Sequence, residues 1–204
     1  GGGPPLPRRG GHGRRAARQA LTSAAGRCAP LVEVVRSGFA ESVHRGSVVV
    51  LAADGRVELS RGTPDAPMLP RSAKKPIQAA GMLYAGLDLD GELLALAAAS
   101  HSGEPFHLEG VRRIIKRAGL YEKDLQTPPD WPMDERVRVD YVRAGGVPAR
   151  IAMNCSGKHA AMLATCVRND WETVSYLDPK HPLQQAIATT VSELCGEPIA
   201  NTGV

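Results

Sequence analysis

A chain of 204 residues is long enough to bury one sizeable core. Its 43% hydrophobic content excludes wholesale disorder, and aromatics at only 4% predict a core of small and aliphatic side chains. The net charge of +4 belongs to the first 30 residues, which hold six arginines and no acid; the rest carries 19 basic against 21 acidic residues, a net −2, and gives no case for a nucleic-acid-binding domain.

Residues 1–30 read as a disordered basic leader, rich in Gly, Pro and Arg with nothing to bury. No apolar h-region follows the arginines, which argues against a secretory signal, and the Gly/Pro content argues against the amphipathic helix of a transit peptide. No run of about 18 apolar residues occurs, so no membrane span is expected. The four cysteines (Cys28, Cys155, Cys166, Cys195) form no small-domain disulfide framework; reduced thiols in a cytoplasmic protein are expected.

Order is predicted to begin near Leu31. Leu31 to Arg36 reads as a strand, and Val43 to Ala53 and Arg56 to Ser60 read as two more, joined by the hairpin signal Asp54-Gly55. The polar run 36–46 reads as a connection, so the chain is expected to open as an antiparallel meander. Residues 61–70 form a Pro-rich loop that delivers Ser72. A helix is predicted from Ala73 to about Ala85, with Ile77, Ala80 and Tyr84 on its apolar face, Pro76 near its start and Gly86 as its stop. Ser72 then lies at or beside the N-cap.

Glu92 to Ala99 is apolar on nearly every side and reads as a buried helix, ending in Ser100-His101-Ser102-Gly103-Glu104. Leu108, Val111, Ile115 and Ala118 mark an amphipathic helix closed by Gly119. Residues 121–150 read as irregular with short strands. A helix is expected from Cys155 to about Arg168, and another from Pro182 to Leu194 with Gly196 past its end.

Two stretches carry chemistry. Ser72-x-x-Lys75 sets a hydroxyl and an amine on one helix face. A serine hydroxyl becomes a nucleophile when a nearby base takes its proton, and a lysine can be that base. The alternative is an N-cap serine beside a solvated lysine; of the two lysines, Lys74 fits solvation better. Cys155-x-x-Lys158 spaces a thiol and an amine in the same way at a helix start, where the dipole and a neighbouring cation favour thiolate chemistry. Its alternative is a small buried hydrophobe, the reading that suits Cys166 beside Leu163. Ser100 could relay a proton from Lys75, and His101 and Glu104 beside it are candidate substrate-binding residues. Capping of free carbonyls, or a surface position for His101, are the alternatives.

Taken in order, EVVRSGFAESVHRGSVVV, PRSAKKPIQA, ASHSGEP and NCSGKHAAML resemble the asparaginase family with a serine β-lactamase-like fold (class 3, distinct from the classical Thr-dependent enzymes). The resemblance spans residues 31–204. It implies an α/β (α+β) fold like that of serine β-lactamases and penicillin-binding proteins, an antiparallel sheet flanked by helices. It also implies hydrolysis of L-asparagine to L-aspartate and ammonia, with Ser72, Lys75 and Ser100 catalytic. Cys155 and Lys158 would bind zinc. The family's third zinc ligand, a cysteine, follows soon after the stretch resembling Glu197 to Val204 and so falls beyond this chain, as do a further catalytic lysine and the closing part of the sheet; Cys195 is not at that place. The expected partner is a small-molecule substrate, without nucleic acid or membrane, and with room for a homodimer. Competing readings are a penicillin-recognising serine hydrolase on the same fold and a catalytically incomplete, metal-binding fragment.

Overall fold

The computed structural model describes residues 28–199, so the expected basic leader lies almost wholly outside the described residues. The chain divides into two compact units, residues 1–69 and 70–204. Together they are mixed α/β, with two small antiparallel sheets and six α-helices among the described residues.

The first unit is two hairpins. Strand β1 (Ala29–Arg36) pairs antiparallel with β2 (Phe39–Gly46), with Arg36 opposite Phe39 across the turn Ser37-Gly38. Both turn residues have positive φ (50° and 80°), the type I′ geometry that matches strand twist. This corrects the reading of 36–46 as a connection. The run Phe39-Ala40-Glu41-Ser42-Val43 alternates too weakly to announce a strand, and the pairing is set by its turn and by the cross-strand Arg36–Glu41 ion pair at 3.2 Å. Strand β3 (Val48–Leu51) pairs with β4 (Val57–Arg61) around Asp54-Gly55, as expected, and the Asp54 carboxylate accepts from the Arg56 N–H. The expected meander is therefore two separate two-stranded ladders among the described residues.

The second unit holds the core. Helix α1 (Lys75–Tyr84) follows a 3-10 turn over Arg71–Lys74. Helix α2 (Gly91–Ala97), α3 (Pro105–Arg117), α4 (Glu135–Arg143), α5 (Ser156–Arg168) and α6 (Pro182–Cys195) complete it. Helix α1 packs on α6, and α5 is covered by α1, α2 and α3. The buried hydrophobic side chains are almost all Ala, Val, Leu, Ile and Met, with Tyr176 the large aromatic exception, and buried polar groups such as Lys75, Gln78, Lys158 and His159 lie among them. No helix among the described residues is long and apolar enough to cross a membrane.

Two helix readings are corrected. The buried stripe of α1 is Lys75, Gln78, Ala79 and Met82, not Ile77, Ala80 and Tyr84; Tyr84 is 74% exposed. Two polar residues occupy the inward face, and the apolar residues beside them mimic a stripe one position away. Helix α4 lies inside the stretch read as irregular. Asp134 caps it, accepting from the N–H groups of Arg136 and Val137, and its lack of any fully buried residue leaves little apolar signal.

Candidate active site

Three helix ends meet at Lys75. It is the first residue of α1 and only 2% exposed. Its Nζ donates to the carbonyl of Ala99 (3.1 Å) and to Ser100 Oγ (2.6 Å), both just past the end of α2, and to Cys155 Sγ (2.9 Å) at the start of α5. An ammonium group has three donors, and these three partners use them all. The carbonyl of Ala99 lies beyond the last turn of α2, where a cation complements the helix dipole.

Cys155 is the N-cap of α5 and half-buried. Its thiol donates to Asn154 Oδ1 (3.0 Å), and its N–H points at Met153 Sδ (3.0 Å). Helix α5 approaches α2 closely here: a Cβ on Gly157 would stand 2.7 Å from the carbonyl oxygen and the Cγ of Leu96. The glycine of the Cys-Ser-Gly-Lys run therefore lets the thiol reach Lys75.

Lys158 is 5% exposed, one turn into α5. Burial pushes its amine down to about 8, against the opposing pull of Cys155 and with help from the Lys75 and Lys74 charges. The Cys155 thiol thus has Lys75 in contact and Lys158 within electrostatic reach. Lys74, read from sequence as the solvated lysine, is half-buried and is itself lowered by burial.

His101 is not a surface residue: it is 3% exposed. Its N–H donates to the Asn154 carbonyl (3.0 Å), and its Nε2 lies 2.8 Å from Ser156 Oγ. The Ser156 hydroxyl donates its single proton to the Ile151 carbonyl (2.7 Å), so its oxygen accepts from an Nε2–H of His101. Burial is the chief cause that lowers His101 to about 4; His107 and Lys75 add to the shift and Glu104 opposes it. A neutral His101 thereby ties the segment bearing Ser100 to the segment bearing Cys155. Its Nδ1 is buried without a hydrogen-bond partner among the described residues.

Glu104 turns elsewhere. It accepts from the Ser102 hydroxyl, which is the main cause holding its carboxyl below the usual range. His107 Nδ1 lies 2.8 Å from the same carboxylate without hydrogen-bond alignment.

Ser72 lies on the 3-10 turn, exposed, and Lys74 rather than Ser72 is the N-cap of α1. Its hydroxyl is not among the partners of Lys75. Arg71 before it has φ 51°, a left-handed backbone that costs a non-glycine residue about 1 kcal/mol or more.

The geometry joins Lys75, Ser100 and Cys155 directly and sets Lys158 within electrostatic reach. Ser72 stands at the edge, His101 acts as a strut, and Glu104 pairs with Ser102 and His107. Sequence reasoning missed Asn154 and Ser156, though both sit inside the Cys155 stretch. It also missed the Ala99 carbonyl, which no side-chain pattern can announce. Among the described residues no group of three His, Cys, Asp or Glu side chains is placed to hold a metal ion. Cys155 nevertheless offers a thiol, a donor of the type zinc accepts, and Lys158 beside it a buried amine shifted toward neutrality.

No curated protein matches the chain. The family model for L-asparaginase II matches residues 32–204, a span that includes every candidate residue above. The chain belongs to the L-asparaginase II family.

Proposed function

We infer that the protein is an amidohydrolase that converts L-asparagine to L-aspartate and ammonia. Family membership suggests asparagine as substrate. The observation that carries the chemistry is the buried Lys75 amine 2.6 Å from the exposed Ser100 hydroxyl, with Ser72 three residues before it. We read the fold as part of a serine β-lactamase-like domain, because a Ser-x-x-Lys segment entering a helix and a second serine after a buried helix is the layout of that class.

In this reading Ser72 attacks the side-chain carbonyl carbon of asparagine. Its proton passes by way of Ser100 to Lys75, which can accept it only after giving up one of its three ammonium protons. The carbon–nitrogen bond breaks, the proton goes to the departing ammonia, and water then hydrolyses the ester. Cys155 and Lys158 would hold zinc together with a donor outside the described residues. The ion would supply Lewis-acid polarisation of a substrate oxygen. We read His101 and Glu104 as substrate-binding residues, His101 also joining the segments that bear Ser100 and Cys155. A reducing cytoplasmic compartment suits a site built on a thiol.

A specific observation favours a second assignment within the same reaction: Ser100, not Ser72, is the hydroxyl in contact with Lys75. Ammonia release by the full-length Ser72→Ala and Ser100→Ala variants separates the two. A nucleophile's loss is expected to lower kcat by about a thousandfold or more. Unchanged turnover in Ser72→Ala removes Ser72 as nucleophile and leaves Ser100; unchanged turnover in both overturns the serine mechanism.

A further inference from the structure

The hydrolytic steps give Cys155 no covalent role, yet its sulfur sits 2.9 Å from the Nζ of Lys75, in contact and on a fixed approach. Lys75 is held there by two further hydrogen bonds, to Ala99 and Ser100. The thiol is half-buried, so a small oxidant reaches it, while the amine behind it is almost wholly enclosed. Elsewhere in the helical unit the thiols differ: Cys166 is buried and pushed up to about 12 by burial, and Cys195 is exposed at the end of α6.

We propose that Lys75 and Cys155 form an oxidative cross-link site, in which a peroxide converts the pair into a sulfenamide. In the first step the thiol takes one oxygen from hydrogen peroxide, giving a sulfenic acid and water; sulfur is oxidised and peroxide reduced. In the second step the Lys75 nitrogen attacks that sulfur. The nitrogen–sulfur bond forms, the sulfur–oxygen bond breaks, and water and the surplus ammonium proton leave. A dithiol reverses the link, returning thiol and amine and becoming a disulfide. The link draws the amine into a covalent bond and takes its proton chemistry away from Ser100. The site therefore reads as a reversible modification that silences the enzyme. Only this consequence rests on the amidohydrolase reading; the cross-link itself does not.

The test is mass spectrometry of the full-length protein after hydrogen peroxide, with and without a zinc chelator. Expected is a pair of joined peptides containing Lys75 and Cys155, lighter than the two reduced peptides by two hydrogen atoms and separated again by dithiothreitol. A link that forms only with chelator also supports the proposal, since bound metal shields the sulfur. The pair should be absent in Cys155→Ser and in Lys75→Arg, whose guanidinium is a poor nucleophile. Sulfinic or sulfonic acid at Cys155 without a link, a disulfide to another cysteine, or oxidation of Cys195 alone overturns it. Ammonia release is read on the same samples: it should fall as the link accumulates and return with dithiothreitol. A link without any starting activity would sink the amidohydrolase reading and leave the cross-link standing.

Discussion

His159 and His101 are both held neutral by their surroundings. Burial, followed by the Lys158 and Lys75 charges, pushes His159 down to about 3, and His101 stands at about 4. His159 is 6% exposed with its Nδ1 2.9 Å from the Tyr176 hydroxyl, which also accepts from the Gln126 N–H. In the unfolded chain both rings titrate near 6.5. As pH falls from 6.5 toward 4, the unfolded state takes up protons that the folded state refuses. Folding stability is then lost at up to about 1.4 kcal/mol per pH unit for each ring, and the loss ends near each folded pKa. At pH 4.5 each ring accounts for roughly 2–3 kcal/mol. Denaturant unfolding of wild type and His159→Gln at pH 7 and pH 4.5 checks this. The variant should lose less stability on acidification, and an equal loss in both would contradict the assignment.

At the scale of elements, the site depends on how closely α5 lies against α2. Gly157→Ala places a methyl group 2.7 Å from a backbone oxygen of Leu96, which cannot swing aside as a side chain can. Alanine gains up to about 1 kcal/mol of helix propensity over glycine, but overpacking of this kind costs about 1–3 kcal/mol. The expected outcome is a lower melting temperature with a larger loss of turnover than of substrate binding, because Cys155 and Ser100 move apart. A raised melting temperature would refute the close-contact account. The ends of α5 and α6 were legible in the sequence, because Cys155-Ser156-Gly157 opens one and Pro182 and Gly196 bracket the other. Helix α4 was not, since its charged sequence buries no residue fully. The inward face of α1 was misread because Lys75 and Gln78 are buried there as polar groups. Gln78 has neither side-chain polar atom partnered among the described residues. Lys75 and Cys155 were each singled out by spacing, but their meeting spans 80 positions and is a product of packing alone.

At the scale of the whole molecule, the work is unevenly divided. Every residue of the hydrophobic core lies between Ala79 and Val191, in the helical unit, and so does the cluster around Lys75 apart from the α1 entry itself. The hairpin unit instead carries exposed apolar side chains, Val35 at 57% and Phe39 at 73% among them. The family match, over residues 32–204, spans both units. Two separate ladders were not legible because the stretch Val43 to Ala53 reads as one strand, although Gly46-Ser47 interrupts it between β2 and β3. In the proposed reaction Lys75 carries the proton in asparagine hydrolysis. The direct measurement is ammonia release from L-asparagine by the full-length protein and its Lys75→Met variant, with circular dichroism confirming that the variant is folded. A folded Lys75→Met is expected to lose about a hundredfold or more of kcat, in line with loss of a positioned acid–base group. A folded variant that releases ammonia at the wild-type rate would contradict it.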